Sequence, residues 1–133
     1  MNTGDDGPGR PGRPGGSPAA LGRAGEEAAG RYLEAQGYRV VERNYRCRSG
    51  EIDIIARDGD VLCFVEVKAR RTGAYGRGIE AVEARKRQRM RRAAAGYLQR
   101  FGSHPPVCRF DAAEVWLSPD GRPDQVWLVR NAF

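Results

Sequence analysis

From residue 18 onward the apolar positions follow two periods in turn. In AALGRAGEEAAGRYLEAQG, Leu21, Ala24, Ala28, Tyr32 and Ala35 fall on one helical stripe, with Ala29 and Leu33 beside it. Ser17-Pro18 has the chemistry of an N-cap and first helical turn, and Gly37 that of a stop. The spacing therefore predicts a helix that begins between residues 18 and 22. Strand-like segments follow at Tyr38–Tyr45, Gly50–Arg57 and Asp60–Ala69. A second helix is predicted over Ile79–Phe101, with Val82, Met90, Ala93, Ala94, Tyr97 and Leu98 inward and Gly102 at its end. Two more strands, Val107–Leu117 and Gln125–Asn131, flank a Pro119-Asp120-Gly121 turn. The order α-β-β-β-α-β-β predicts an α/β fold. Three antiparallel strands and a crossover helix feed a mixed five-stranded sheet with a helix on each side.

Charged residues interrupt this apolar pattern at one place. The run GEIDIIARDGDVLCFVEVK sets Asp53 in one apolar segment and Glu66 and Lys68, one residue apart, in the next. Asp58-Gly59 is a two-residue hairpin signal. With that loop Arg57 opposes Asp60, Asp53 opposes Phe64, and Glu51 opposes Glu66. Asp53, Glu66 and Lys68 then share one face, with the two acids as diagonal neighbours. Unpaired charge is costly in such surroundings. Two readings compete, a cross-strand ion pair at the core edge and a site for a hard divalent cation. Under the second, Asp53 and Glu66 supply carboxylates to Mg²⁺ or Mn²⁺, and the Val67 carbonyl is a third oxygen. Lys68 orients water or offsets the charge that grows on a phosphodiester under attack.

Charge adds a partner to this picture. The 133 residues carry a formal +6. Between Lys68 and Arg92, ten basic residues face only Glu80 and Glu83, so that segment alone is +8. A basic stripe beside an acidic constellation suits a polyanion held against a metal site, although a solvated helix face has the same composition. Arg70, Arg71, Arg77, Arg85, Lys86 and Arg89 are the candidate phosphate contacts.

The first nineteen residues are rich in Gly and Pro and lack core formers, so a disordered tail is expected over 1–19 and one domain over 20–133. No apolar run reaches membrane-spanning length, and the tail lacks the apolar centre of a secretory signal, so a cytoplasmic protein is expected. Cys47, Cys63 and Cys108 are odd in number and without metal-ligand spacing, and His104 stands in a Pro-rich loop. Free thiols without zinc are expected.

GEIDIIA, FVEVKAR, the Gly-bearing loop, the basic helix and Arg109-Phe110-Asp111 together resemble the YraN-like family of small bacterial proteins. That family is related to the PD-(D/E)XK nuclease superfamily and the archaeal Holliday-junction resolvases. The resemblance covers nearly everything after residue 20. It implies a restriction-endonuclease-like core, with Glu26 as the acid of the first helix and Glu27 as its adjacent competitor. It also makes Asp53 the strand acid, Glu66 and Lys68 the E-x-K element, and Lys86 a polar residue approaching from the second helix. Asp111 is the structural member of its motif. Ile52 stands where the superfamily name has proline.

A metal-dependent endonuclease acting on branched or structured DNA is the leading reading. A two-fold dimer would suit symmetric cutting of two strands. The alternatives are a nucleic-acid-binding module that keeps the scaffold without turnover, and a basic adaptor for an acidic protein.

Overall fold

The computed structural model describes residues 18–71 and 80–133. The tail expected over 1–19 lies almost wholly outside them, as does the Gly-bearing loop with Arg77. The elements are α1 (Pro18–Ala35), β1 (Arg39–Cys47), β2 (Gly50–Asp58), β3 (Val61–Arg71), α2 (Glu80–Leu98), β4 (Cys108–Leu117) and β5 (Pro123–Val129). A 3₁₀ turn, Gln99–Phe101, carries α2 into Gly102, whose φ of 63° ends the helix. The sheet order is β1-β2-β3-β4-β5, antiparallel except for β3 with β4. The expected mixed five-stranded α/β sheet with a helix on each side is therefore present, and it is consistent with a restriction-endonuclease-like core.

Alternation along the strands gives the sheet two apolar faces. On one side Leu33, Ala28 and Ala29 of α1 pack on Ile54, Val65, Val115 and Leu117. On the other, Met90, Ala93, Ala94 and Tyr97 of α2 pack on Ile52, Ile55, Leu62 and Phe64. The predicted stripe of α2 is thus confirmed except at Val82, whose side chain is outside the description. In α1 the buried face runs through Gly25, Ala28, Ala29 and Leu33, and Ala35 is exposed. The reason is Gly25. A Cβ there would stand 2.5 Å from that of Ala69, so α1 is pressed closest to β3 at its glycine. Gly50 does the same for β2 on the opposite face, where an added Cβ would strike the Arg89 carbonyl of α2.

The hairpin register corrects one expectation. Asp58 opposes Val61 and Arg57 opposes Leu62, so the loop is Gly59-Asp60. Gly59 has φ 62° and takes the first central position, which type II′ turns favour for glycine. Asp58 stays in the strand because Arg109 of β4 donates to its carboxylate at 2.9 Å. The shift moves every partner by two residues and leaves the paired residues from Ile54 to Asp58 on their expected faces. Asp53 no longer opposes Phe64, which pairs with Ile55. The ladder ends at Ile54–Val65, one position short of Asp53 and Glu66.

The last strand also differs. It ends at Val129 because Asn131 turns out with φ 55° and donates its N–H to Asp111 at 2.8 Å. Tyr38, expected at the start of the first strand, precedes β1. Its hydroxyl is in the same buried cluster, donating to Asp111 at 3.2 Å and accepting from Arg109 at 2.6 Å and Arg130 at 2.9 Å. Asp111 is fully buried, and Arg109 binds its carboxylate at 2.9 Å. Its expected structural role is borne out. The cluster ties the end of α1 to β2, β4 and the chain end. Burial disfavours the Arg109 cation, but its hydrogen bonds to Asp111 and Asp58 outweigh that and raise its pKa.

Candidate active site

Asp53 is 5% and Glu66 0% exposed. Both lie on the α2 side of the sheet, where β2 and β3 part. The β2–β3 ladder stops at Ile54–Val65. Beyond it the alternation breaks, for Ile52 joins the α2-side core while Ile54 joins the other. The Val67 N–H donates to Asp53 Oδ2 at 2.8 Å, so the Asp53 side chain bridges the gap that the backbones leave.

Two adjacent residues of α2 complete the charge balance. Lys86 Nζ reaches Asp53 Oδ2 at 3.1 Å, and Arg87 Nε reaches Glu66 Oε1 at 3.1 Å. Arg87 is in turn stacked over the ring of Phe133 at 4.4 Å. Lys68 lies on the same face of β3 as Glu66 by alternation, with a partly buried side chain.

Glu26 approaches from α1. Burial first, and then the Asp53 charge, raise its carboxyl above the ordinary glutamate range. A hydrogen bond with Asn44 and the charge of Lys86 oppose that rise. These couplings bring Glu26 into the electrostatic neighbourhood of Asp53 and Lys86. Glu27 points elsewhere, pairing with Arg31 at 3.0 Å on the exposed side of α1. Glu51, Arg85, Lys86 and Arg89 line a surface depression along α2.

The expected phosphate contacts divide. Arg85 and Arg89 are exposed on α2. Arg70 pairs with Glu114 of β4 at 3.3 Å. Arg71 is partly buried, and Arg77 is outside the described residues. Arg87 and Asn44 were not singled out from the sequence. Arg87 sits among six basic residues between Arg85 and Arg92 whose rotation about the helix only tertiary packing selects. Asn44 has φ 52°, a conformation asparagine tolerates, and its signal was an Asn inside a strand.

The donor set suits a hard divalent cation in one respect in particular. Glu66 Oε2 is buried and has no hydrogen-bond partner among the described residues. Such an atom costs free energy unless something cationic meets it. Asp53 and Glu66 offer carboxylate oxygens, the number Mg²⁺ commonly takes from protein. Among the described residues no three His, Cys, Asp or Glu side chains form a metal-sized group, so the remaining ligands would be backbone, substrate or water. The Val67 N–H is engaged by Asp53.

The pattern of the uncharacterised protein family UPF0102 matches residues 25–115, a span that includes every charged residue just described. The chain belongs to the UPF0102 family. A UPF0102 protein of Symbiobacterium thermophilum is 57% identical over 113 residues, covering 85% of this chain and 95% of the relative. Those of Pelotomaculum thermopropionicum and Alkaliphilus metalliredigens are 47% identical over 113 residues and 46% over 114. They cover 85% and 86% of this chain, and 94% and 97% of their own lengths. UPF0102 is the family to which the YraN-like resemblance pointed, and its scaffold is nuclease-like. No helix among the described residues is long and apolar enough to cross a membrane.

Proposed function

We propose that this protein is a metal-dependent endonuclease that hydrolyses phosphodiester bonds in branched or structured DNA. The observation that carries the reading is the orphaned, buried Glu66 Oε2 on the same face as Asp53. Mg²⁺ or Mn²⁺ held by Asp53 and Glu66 would polarise the phosphate and offset its charge. Lys68, on the same face, stabilises the negative charge that builds on the non-bridging oxygens. Glu26, with its raised pKa, is suited to accept the proton that an attacking water loses. The water oxygen bonds to phosphorus, the bond to one bridging oxygen breaks, and that oxygen leaves with a proton. Lys86 and Arg87 hold both carboxylates in place before substrate arrives. Exposed Arg85 and Arg89 supply phosphate contacts along α2.

The same two cations favour a second reading. With Lys86 on Asp53 and Arg87 on Glu66, the carboxylates are already charge-paired, as in a binding module without turnover. Nicking assays on duplex, flapped and four-way DNA with Mg²⁺ or Mn²⁺ separate the two. The nuclease reading predicts cleavage that falls at least about a hundredfold in Asp53→Ala and in Lys68→Ala, both with unchanged circular dichroism. Salt-sensitive binding without cleavage in either metal would establish the binding module instead.

A further inference from the structure

The α2 side of the sheet is only partly covered. Among the described residues the α2 backbone approaches β1, β2 and β3, and its side chains meet β4 at the start of that strand, where Arg91 lies over the Phe110 ring at 5.8 Å. The uncovered part continues sideways from the candidate site in register. Lys68 pairs with Glu114, which pairs with Trp127. Arg70 pairs with Trp116 in the next row. Val126 and Leu128 of β5 pack into the α1-side core, so Trp127 and Val129 face the other way. Trp127 is 53% exposed, and its ring centroid lies 5.6 Å from that of Trp116 at an interplanar angle of 59°.

Scattered apolar residues on a surface are ordinary, but two paired indoles beside a basic row are not a random exposure. Two strand spacings separate Lys68 from Trp127, about 10 Å along the sheet. A short extended run of nucleotides covers that distance. The one acid between them, Glu114, is neutralised by Arg70 at 3.3 Å. The surface therefore offers two tilted indole rings at one end and cations toward the other. The strand edge itself is poorly built for pairing with a second copy. β5 begins with Pro123, which has no N–H, and Asp124 and Arg130 flank its apolar centre.

We infer that Trp116 and Trp127 form a stacking platform for an unpaired base, so that the protein selects nucleic acid with a single-stranded segment beside the bound phosphate. Base–aromatic stacking is indifferent to sequence, because every base has a π-face. This inference rests on the nucleic-acid reading above and narrows it to a class of substrate. Fully paired ends present no free base to the platform, whereas flaps, tails and open junctions do.

The chain contains only two tryptophans, so its indole fluorescence reports on this surface alone. The test uses the full chain in EDTA, where cleavage does not intervene. Unlabelled oligothymidylate is titrated against tryptophan emission, and dye-labelled blunt and tailed duplexes are followed by anisotropy. Quenching by oligothymidylate is expected. Trp127→Ala should lose about five- to a hundredfold in affinity for the tailed duplex, little for the blunt one, and Trp127→Phe should recover most of it. Anisotropy changes with unaltered emission, or equal tail affinity in Trp127→Ala, would overturn the platform while leaving the nucleic-acid reading intact. No anisotropy change with any probe would overturn both. If emission depends on protein concentration without DNA and Trp127→Ala dissociates a dimer in sedimentation, the surface is a self-interface and the proposal is wrong.

Discussion

Two carboxylates of this chain are buried for opposite reasons. Asp111 has every oxygen engaged, by Arg109, Tyr38 and the Asn131 N–H. Glu66 keeps one oxygen unmet. The first pattern is a structural clamp, and removing its acid takes the shared acceptor from Arg109, Tyr38 and the Asn131 N–H, leaving Asp58 as the guanidinium's remaining acid. Asp111→Ala should cost about 3–5 kcal/mol and lower the thermal midpoint by about 10 °C or more, readable by differential scanning calorimetry. Glu26 adds a pH-dependent test. Its pKa is raised above the ordinary 4.5, so the native state holds the proton over a range where the unfolded chain has lost it. Stability must then fall as pH rises through that range. In metal-free protein, Glu26→Gln should match the parent at pH below 4.5 and become the more stable form as pH rises above it. A pH-independent difference between their melting curves would contradict this. The sequence itself marked Asp53, Glu66 and Lys68, because acids and a lysine inside β-branched runs are anomalous. It did not mark Arg87, since one arginine among so many neighbours carries no local signal.

At the scale of elements, the helices reach the site because glycines let them. Gly25 brings α1, and with it Glu26, against Ala69 of β3. Alanine there would gain about 1 kcal/mol of helix propensity but meet a backbone-anchored Cβ that cannot swing away. Overpacking of this kind costs about 1–3 kcal/mol, so Gly25→Ala should be destabilising on balance by up to about 2 kcal/mol. Urea unfolding measures it, and a stabilised variant would show that α1 is free to retreat. The elements and their order were legible because apolar period and Gly/Pro punctuation agree along most of the chain. The hairpin register was not. Asp58-Gly59 is the stronger local turn signal, and Arg109, fifty-one residues away, overrules it by holding Asp58 in the strand. The faces survived that error because a shift of two residues preserves alternation. The same limit applies to the end of β5, where Asn131 leaves the ladder to satisfy Asp111.

For the whole molecule, the sheet divides the work between its faces. The α1 side is packed with apolar residues and closed by the Asp111 cluster. The α2 side carries Asp53, Glu66, Lys68 and the exposed indole of Trp127 across adjacent strands. This chain thus presents Asp53, Glu66, Lys68 and the Trp127 indole in one direction. Metal and polyanion would meet on that side, and Lys86 and Arg87 would have to share the carboxylates with the ion. The most direct test is therefore Mn²⁺ binding itself, followed by calorimetry and electron paramagnetic resonance on the purified chain without DNA. Saturable binding that Asp53→Asn and Glu66→Gln each weaken by more than about tenfold, with the fold retained, is the predicted result. Mn²⁺ affinity that is unchanged in both variants, or absent in the parent protein at millimolar metal, would contradict it.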